Sequence, residues 1–211
     1  MTDWRILPMG EAAVLAECVL DDAAAANAQA LALAGALQPD FEALPAIRSV
    51  LVRFDPLRWM ADEVAANIRR RVDELAPAAQ ADGQTLIVPV RYGGVHGPDL
   101  CEAAQALGLS VEALVAQHTA QPWRVLMIGF APGFPYIGPL PASLALPRRA
   151  TPRPAVPAGS VAIAAGFTGI YPARLPGGWH LIGQTDLKLF DPMREPPTLL
   201  QAGDCVQFVA L

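Results

Sequence analysis

The sequence has few of the residues that build metal centres, disulfide frameworks or membrane segments. Three cysteines and three histidines occur in 211 residues, and none of them stands at the spacing of a zinc site. No apolar run reaches the roughly 18 residues that a membrane-spanning helix needs. The odd cysteine count, together with an N-terminus that lacks a basic and then apolar segment, predicts free thiols and a cytoplasmic location. We therefore expect no bound metal and no membrane association.

Charged residues are also scarce. They make up 17% of the chain, against 53% hydrophobic residues, and the formal net charge is −5. Nucleic-acid binding needs a basic face, so the charge argues against a nucleic-acid partner. The abundant apolar residues have two possible destinations, a well-filled core or a partner protein, and the composition leaves both open.

The first 80 residues predict a small α+β domain. Alternating and helical hydrophobic periods predict strands at 4–7, 12–18 and 47–54 and helices at 21–37 and 57–75. A strand at 85–90 could complete an α+β sandwich. The segment 76–84 is small, polar and without period, which is typical of a linker. The predicted domains are therefore 1–80 and 85–211.

The second part of the chain has a different sequence pattern. Two short helices are expected, one ending at Gly108 and one capped by Ser110. The second carries no lysine or arginine, which argues against a helix-turn-helix. From residue 124 onward, short apolar runs are divided by glycine and proline, a pattern that favours a small barrel or sandwich.

The stretch GFAPGFPYIGPLP at 129–141 alternates glycine and proline around three aromatic residues, Phe130, Phe134 and Tyr136. Glycine frees the backbone and proline fixes it, so the stretch predicts a stiff loop that is neither a helix nor a central strand. The loop would hold its aromatic rings in place before any ligand or partner arrives.

Prolines also hold the segment PRRATPRPAVPAGSV at 147–161 extended, with Arg148, Arg149 and Arg153 projecting from it. A guanidinium on a stiff backbone is suited to gripping a carboxylate or a phosphate, although solvated surface arginines would give the same pattern. Ser160 follows in a glycine turn, but no general base near it in sequence indicates a nucleophile.

The glycine-rich segment at 166–185 supplies polar and aromatic groups, among them Thr168, Tyr171 and Trp179. It matches no phosphate-loop pattern. Barrel hairpins with Trp179 in the core would explain it equally. His118 lies on the apolar side of its short helix, where a packing role competes with a role as acid or base.

Eight motifs in order carry a resemblance to a known family. They include RYGGVHGPDL, GFAPGFPYIGPLP, PRRATPRPAVPAGSVAIA, TGIYP and PGGWHLIGQT, and they span about residues 86–208, with a weaker match before. The chain resembles the B subunit of bacterial 5-oxoprolinase, a family also called allophanate hydrolase subunit 1 and sporulation-kinase-A inhibitor. The resemblance implies a ferredoxin-like first domain and a cyclophilin-like β-barrel second domain.

The same resemblance implies an enzyme subunit that is active only in a complex. With subunits A and C it would open the lactam 5-oxoproline to glutamate, with hydrolysis of ATP. Arg148 and Arg153 would hold a carboxylate or phosphoryl group, Thr168 and Tyr171 would orient the amide, and His118 would shuttle a proton. Substrate or partner binding would fall to a further set of residues: Phe130, Phe134, Tyr136, Ser160 and Trp179.

Two alternatives stay open. One is the carboxyltransferase component of a biotin-dependent system acting on urea or allophanate, and the other is a regulatory inhibitor that binds a sensor histidine kinase. The chain also departs from its relatives at Phe167, Leu175 and Gln184, where polar or charged residues are common in the family. Polar groups decide discrimination between small amides, so these positions bear on the substrate.

Overall fold

The computed structural model describes residues 4–75 and 83–211, which form two compact units, Met1–Asp82 and Gly83–Leu211. The predicted linker at 76–84 lies outside the described residues except for its last two positions. No described helix is both long and apolar enough to cross a bilayer.

The first unit is a four-stranded antiparallel sheet packed against two helices. Its elements are β1 (Trp4–Pro8), β2 (Ala13–Cys18), α1 (Ala23–Leu37), β3 (Glu42–Pro45), β4 (Ser49–Arg53) and α2 (Ala61–Glu74), with strand order β1-β2-β4-β3. Alternate residues of β2 and β4 are buried against the helices, and Asp22 caps α1 by accepting bonds from the Ala24 and Ala25 amides. Of these elements only β3, a four-residue edge strand, is not predicted from the sequence.

The second unit is a closed barrel of seven strands. In chain order these are β5 (Thr85–Tyr92), β6 (Trp123–Ile128), β7 (Pro135–Gly138), β9 (Ser160–Ala164), β10 (Phe167–Ile170), β12 (His180–Gln184) and β13 (Cys205–Ala210). They close in the order β10-β7-β6-β13-β5-β12-β9. The mixed α+β class and the barrel are confirmed, while the names ferredoxin-like and cyclophilin-like stay predictions.

Residues 85–90 do not complete the first sheet but form part of the barrel. The strand β5 pairs in parallel with β13, from Thr85 opposite Cys205 to Val90 opposite Ala210, and it also pairs with β12. Its alternating pattern fits any half-buried sheet, and its partners later in the chain, β12 and β13, decide which sheet it joins.

The stretch at 129–141 is only partly the loop that its prolines predict. Pro135–Gly138 forms β7, which lies between β6 and β10 in the barrel. A proline is tolerated at the first residue of a strand, and Pro135 occupies that position. The following proline, Pro139, lies beyond the end of the strand, so neither proline interrupts it.

Two α-helices, a short 3-10 helix (Ala142–Leu144) and a small ribbon complete the second unit. The helices α3 (Leu100–Leu107) and α4 (Val111–Thr119) bury Leu100, Ala103 and Leu114 in the barrel core. As predicted, Gly108 ends α3 in a left-handed conformation and Ser110 caps α4. A two-stranded ribbon pairs β8 (Arg153–Val156) with β11 (Leu175–Gly177), so the arginine segment becomes a strand in its second half.

Candidate functional site

A cleft of about 260 Å³ opens on the second unit where three of the sequence motifs meet. Aromatic rings, arginines, prolines and glycines line it: Phe130, Phe134, Tyr136, Arg148, Arg149, Pro152, Tyr171, Pro176, Gly177, Gly178 and Trp179. The lining therefore combines apolar faces with positive charge, which is the usual composition of a site for a small anionic ligand.

A second, more open cleft of about 340 Å³ lies on the first unit beside Phe41 and Trp59. Its carboxylates are each paired with an arginine at the surface: Asp40 with Arg71, Glu42 with Arg53 and Asp55 with Arg58. Because these pairs already satisfy one another, this cleft offers less to a ligand than the one on the barrel.

The loop at 129–134 places Phe130 at the mouth of the barrel cleft. Phe130 has φ of 68°, a left-handed conformation that is uncommon for a residue with a side chain, and 59% of its surface is exposed. Hydrogen bonds from Gly129 N to Phe134 O and from Phe134 N to Ala131 O hold the loop in shape. The backbone thus keeps an aromatic ring in solvent against its hydrophobic preference.

The floor of the cleft is an aromatic cluster centred on Phe134. Its ring makes edge-on contacts with Phe130, Tyr136, Tyr171 and Trp179 at centroid distances of 5.4, 5.3, 5.1 and 5.6 Å. Such tilted contacts are the favoured geometry of aromatic pairs. Phe134 and Trp179 are nearly buried, so they serve the core and the cleft together.

Tyr171 is held between the aromatic cluster and the ribbon. A Cβ placed on Gly177 would lie 2.1 Å from the Tyr171 hydroxyl oxygen, so only glycine allows this close approach. Burial raises the pKa of Tyr171, and the positive charges of Arg148 and Arg153 act in the opposite direction. Tyr171 is therefore a neutral hydroxyl with two arginines in its electrostatic neighbourhood.

The arginines are organised by a buried carboxylate, Asp99. Its Oδ1 accepts from Arg149 at 3.1 Å and Arg153 at 2.7 Å, and its Oδ2 accepts from the Leu181 amide at 2.7 Å. The side chain is 4% exposed. Burial alone would raise the pKa of Asp99, but the bonds from Arg153 and Leu181 and the two positive charges hold it below the ordinary value. Asp99 is therefore ionised at neutral pH.

The arginine segment is tied to the PGGWH segment through the backbone. The Arg149 amide donates to the Gly178 carbonyl at 2.7 Å, and His180 Nε2 donates to the Pro147 carbonyl at 3.0 Å. Arg149 also bonds Glu102 at 3.1 Å. Arg148, next to it, is exposed and has no hydrogen-bond or ion-pair partner in the described part of the chain.

His118 and Thr168 do not line the cleft. The His118 ring is fully buried in the barrel, with Nδ1 at 2.7 Å from the Tyr92 hydroxyl and Nε2 at 2.9 Å from Thr168 Oγ1. Because Thr168 donates to the Ala162 carbonyl at 3.1 Å, we assign the proton of His118 to Nε2, with Nδ1 accepting from Tyr92. Burial lowers the pKa of His118 to about 3, so the ring is neutral.

Ser160 and the residues at which the chain departs from its relatives lie in different surroundings. Ser160 is buried on β9 and is not among the residues that line the cleft. Gln184 bonds His96 and the Ala158 carbonyl, also outside the cleft lining. Phe167 and Leu175 both pack against the aromatic cluster, and the ring centroids of Phe167 and Tyr136 lie 6.2 Å apart.

The aromatic residues and Arg148 of the cleft are among the residues predicted from the sequence, whereas Asp99 is not. The only local signal is the motif GPDL, which marks Asp99 as a residue at a helix start. Its bond to Arg153 spans 54 positions of sequence. Among residues 4–75 and 83–211, no group of histidine, cysteine and carboxylate side chains could hold a metal ion.

Comparisons with known proteins agree on the relationship. The family described as carboxyltransferase domain, subdomain C and D, matches residues 4–200. A protein of Bacillus subtilis (strain 168), named as the B subunit of 5-oxoprolinase, is 42% identical over 180 residues, which cover 81% of this chain and 75% of that protein.

Solved structures show the same fold. The crystal structure of TTHA0988 superposes with a TM-score of 0.81 at 38% identity, covering 95% of this chain but only 40% of that one. This chain therefore spans well under half of that longer polypeptide. The K. lactis urea amidolyase gives a TM-score of 0.80 at 16% identity, over 100% of this chain and 15% of that protein, which shows a shared fold alone.

Proposed function

The chain belongs to the family of 5-oxoprolinase B subunits, which are carboxyltransferase-type domains, and from that premise we propose that it is the B subunit of an ATP-dependent 5-oxoprolinase. The reaction opens the lactam of 5-oxoproline to glutamate, with hydrolysis of ATP. The family name implies further subunits, and we propose that subunits A and C are required for turnover.

The observation that supports this function is the cleft on the barrel. Its volume of about 260 Å³ lies below the range of roughly 300 to 1,000 Å³ that is usual for drug-sized ligands, so it suits a small molecule. 5-Oxoproline carries a flat lactam ring and one carboxylate. In the proposed complex the ring lies on Tyr136 and Trp179, and the carboxylate bonds the free guanidinium of Arg148.

We assign the other predicted residues according to their surroundings. Arg153 is committed to Asp99 and supports the site without lining the cleft. Tyr171 presents a neutral hydroxyl that can hydrogen-bond the lactam. The proton-transfer role of His118 and the amide-orienting role of Thr168 stay predictions. The two side chains bond each other inside the barrel, and neither lines the cleft.

Phe130 is the residue that we propose for contact with another subunit. An exposed ring fixed by its backbone can bind a partner with little loss of conformational freedom. The match to only 40% of the longer TTHA0988 chain supports a functional unit that contains more than this domain. ATP would then bind at the assembled complex.

The test is release of phosphate from ATP in the presence of 5-oxoproline, with this chain combined with subunits A and C and each omitted in turn. The proposal predicts turnover that depends on 5-oxoproline and disappears when this chain is left out. Undiminished turnover without this chain, or none from a stable assembled complex, would contradict it.

A carboxyltransferase component for a urea-like substrate is the second candidate. The family description and the shared fold with urea amidolyase support it. Transfer of a carboxyl group from carboxybiotin to urea by the same assembled subunits, without ATP-dependent use of 5-oxoproline, would select this function over the first.

A further inference from the structure

The charged groups beside the cleft nearly neutralise one another. Three arginines (Arg148, Arg149 and Arg153) face two carboxylates, Asp99 and Glu102, so the cluster carries a net charge of +1 at neutral pH. Arg153 and Arg149 share Asp99, and Arg149 also bonds Glu102 at 3.1 Å. The uncompensated charge is that of Arg148, which lines the cleft.

The ion pairs keep Arg149 and Arg153 from acting together as a phosphate clamp. Asp99 is fixed by the Leu181 amide at 2.7 Å, and its side chain is 4% exposed, so it cannot release its arginines without leaving a buried charge unpaired. Recognition of a phosphate normally uses several charged donors together. Here only Arg148 is available in full, with the partly exposed edge of Arg149 beside it.

We propose that Asp99 and Glu102 act as a charge filter that makes the cleft select a small monocarboxylate and reject phosphates and nucleotides. A second negative charge on the ligand would meet no second free cation among the residues that line the cleft, because Asp99 and Glu102 already pair with Arg149. The inference rests on the proposed function for the identity of the monocarboxylate, and it places the nucleotide site outside this cleft.

Buried guanidinium atoms give independent support. Arg149 Nε and Arg153 Nη1 are buried without a hydrogen-bond partner in the described part of the chain. Both arginines instead bond Asp99 Oδ1 through another nitrogen, at 3.1 Å for Arg149 and 2.7 Å for Arg153. The pairs to Asp99 thus fix the positions of both charges.

Removing one carboxylate should shift the selectivity of the cleft. Glu102 is 65% exposed, so Glu102→Gln removes a charge with little risk to folding. Pyrophosphate carries more negative charge than 5-oxoproline at neutral pH, so loss of the Glu102 charge favours pyrophosphate more. One unit charge about 4 Å away in water is worth a factor of about five, so the ratio of pyrophosphate affinity to 5-oxoproline affinity should rise by up to about fivefold for each extra charge.

The experiment measures binding of 5-oxoproline, benzoate, pyrophosphate and ATP to the full-length chain by calorimetry, alone and with its partner subunits. Glu42→Gln is the matched control, because Glu42 also pairs with an arginine at the surface but lies on the first unit. We expect an unchanged affinity ratio in Glu42→Gln, a shifted ratio in Glu102→Gln, and loss of carboxylate binding in Arg148→Ala.

The outcomes separate the charge filter from the proposed function. Binding of benzoate but not of 5-oxoproline, with the same shift in Glu102→Gln, would support the filter and contradict the assigned substrate. Pyrophosphate or ATP binding that depends on Arg148 and is tighter than that of both carboxylates would overturn the filter. An unchanged ratio in Glu102→Gln, or no carboxylate binding at millimolar concentration, would also overturn it.

Discussion

His118 and Arg149 both come from the second unit. All hydrogen-bonding groups of the His118 ring have partners, whereas those of Arg149 have partners only in part. His118 bonds Tyr92 and Thr168 through its two ring nitrogens, and no part of it reaches solvent. Arg149 has one buried nitrogen without a partner, and 26% of its side chain is exposed at the cleft. A completed polar network stabilises a fold, whereas a partly exposed charged group beside an opening can contact a ligand.

This difference gives different expectations for substitutions on the two sides. Changes inside the barrel should appear in the free energy of unfolding. Changes at the cleft should appear in ligand binding while the fold persists. Phe134 belongs to both regions, so it should show the largest effect.

Phe134→Ala is expected to lower the free energy of unfolding by about 3 to 5 kcal/mol, because it removes a buried ring that contacts four others. Phe130→Ala, at the exposed mouth, should change it by only about 0.5 kcal/mol. Urea unfolding of both variants measures the difference. Equal free energies of unfolding would show that the aromatic cluster does not stabilise this part of the barrel. Full activity of Phe134→Ala in the complex would contradict a role of Phe134 in function.

Lowering the pH from 7 to 5 should reduce the free energy of unfolding by about 2 kcal/mol through His118. The unfolded chain takes up a proton near 6.5, whereas burial delays protonation of the folded state to about 3. The unfolded state therefore binds more protons throughout that window, and stability falls as the pH falls through it.

The control is His118→Gln, measured over the same pH range by urea unfolding. Glutamine keeps hydrogen-bonding groups but does not titrate, so this part of the pH dependence should disappear. If the free energy of unfolding falls equally in the wild type and in His118→Gln, the folded protein does not keep the His118 ring buried and neutral. Loss of turnover in a stable His118→Gln complex would instead favour the predicted proton shuttle.

Gly177→Ala should weaken binding of 5-oxoproline about tenfold, or about 1.4 kcal/mol. The new Cβ would lie 2.1 Å from the Tyr171 hydroxyl oxygen and would force Tyr171 or the ribbon to move. Gly178→Ala is the matched control, because its nearest neighbours lie at 3.7 Å, an ordinary contact distance. Calorimetric titration of both variants with 5-oxoproline tests this. Similar affinities would show that Tyr171 takes no part in binding.

Gly35→Ala should have the smallest effect, a gain of about 0.5 to 1 kcal/mol in the free energy of unfolding. Gly35 lies inside α1, and a Cβ there would meet no atom within 4 Å. Because Gly35 belongs neither to the barrel interior nor to the cleft, ligand binding at the barrel cleft should stay unchanged. Thermal unfolding measures the gain, and a destabilised variant would contradict the assignment of open space at this position.

Much of the local structure could be predicted from sequence because its causes are local. The caps at Asp22 and Ser110 and the helix end at Gly108 follow from side-chain chemistry within a few residues. The stretch at 129–141 was harder, since proline content predicts a loop but says nothing of the neighbouring strands. Pro135 starts a strand because β6 and β10 are there to pair with it.

The candidate site shows the same division. The aromatic residues and Arg148 could be identified from motifs, because stiff loops with rings and arginines are visible in the sequence. The role of Asp99 and the hydrogen-bond partners of His118 could not, since each depends on contacts across about 26 to 82 positions. The chemistry of each side chain was visible, but the groups that it faces were not.

The sequence by itself determined the α+β class, the helix ends and the family, because these rest on local periodicity, capping and the order of motifs. Closure of the barrel decided the rest. It paired the first strand of the second unit with the last, sealed His118 between Tyr92 and Thr168, and brought Asp99 under two arginines. Burial and long-range pairing determine whether a polar group has hydrogen-bond partners, and both arise only when the barrel has formed.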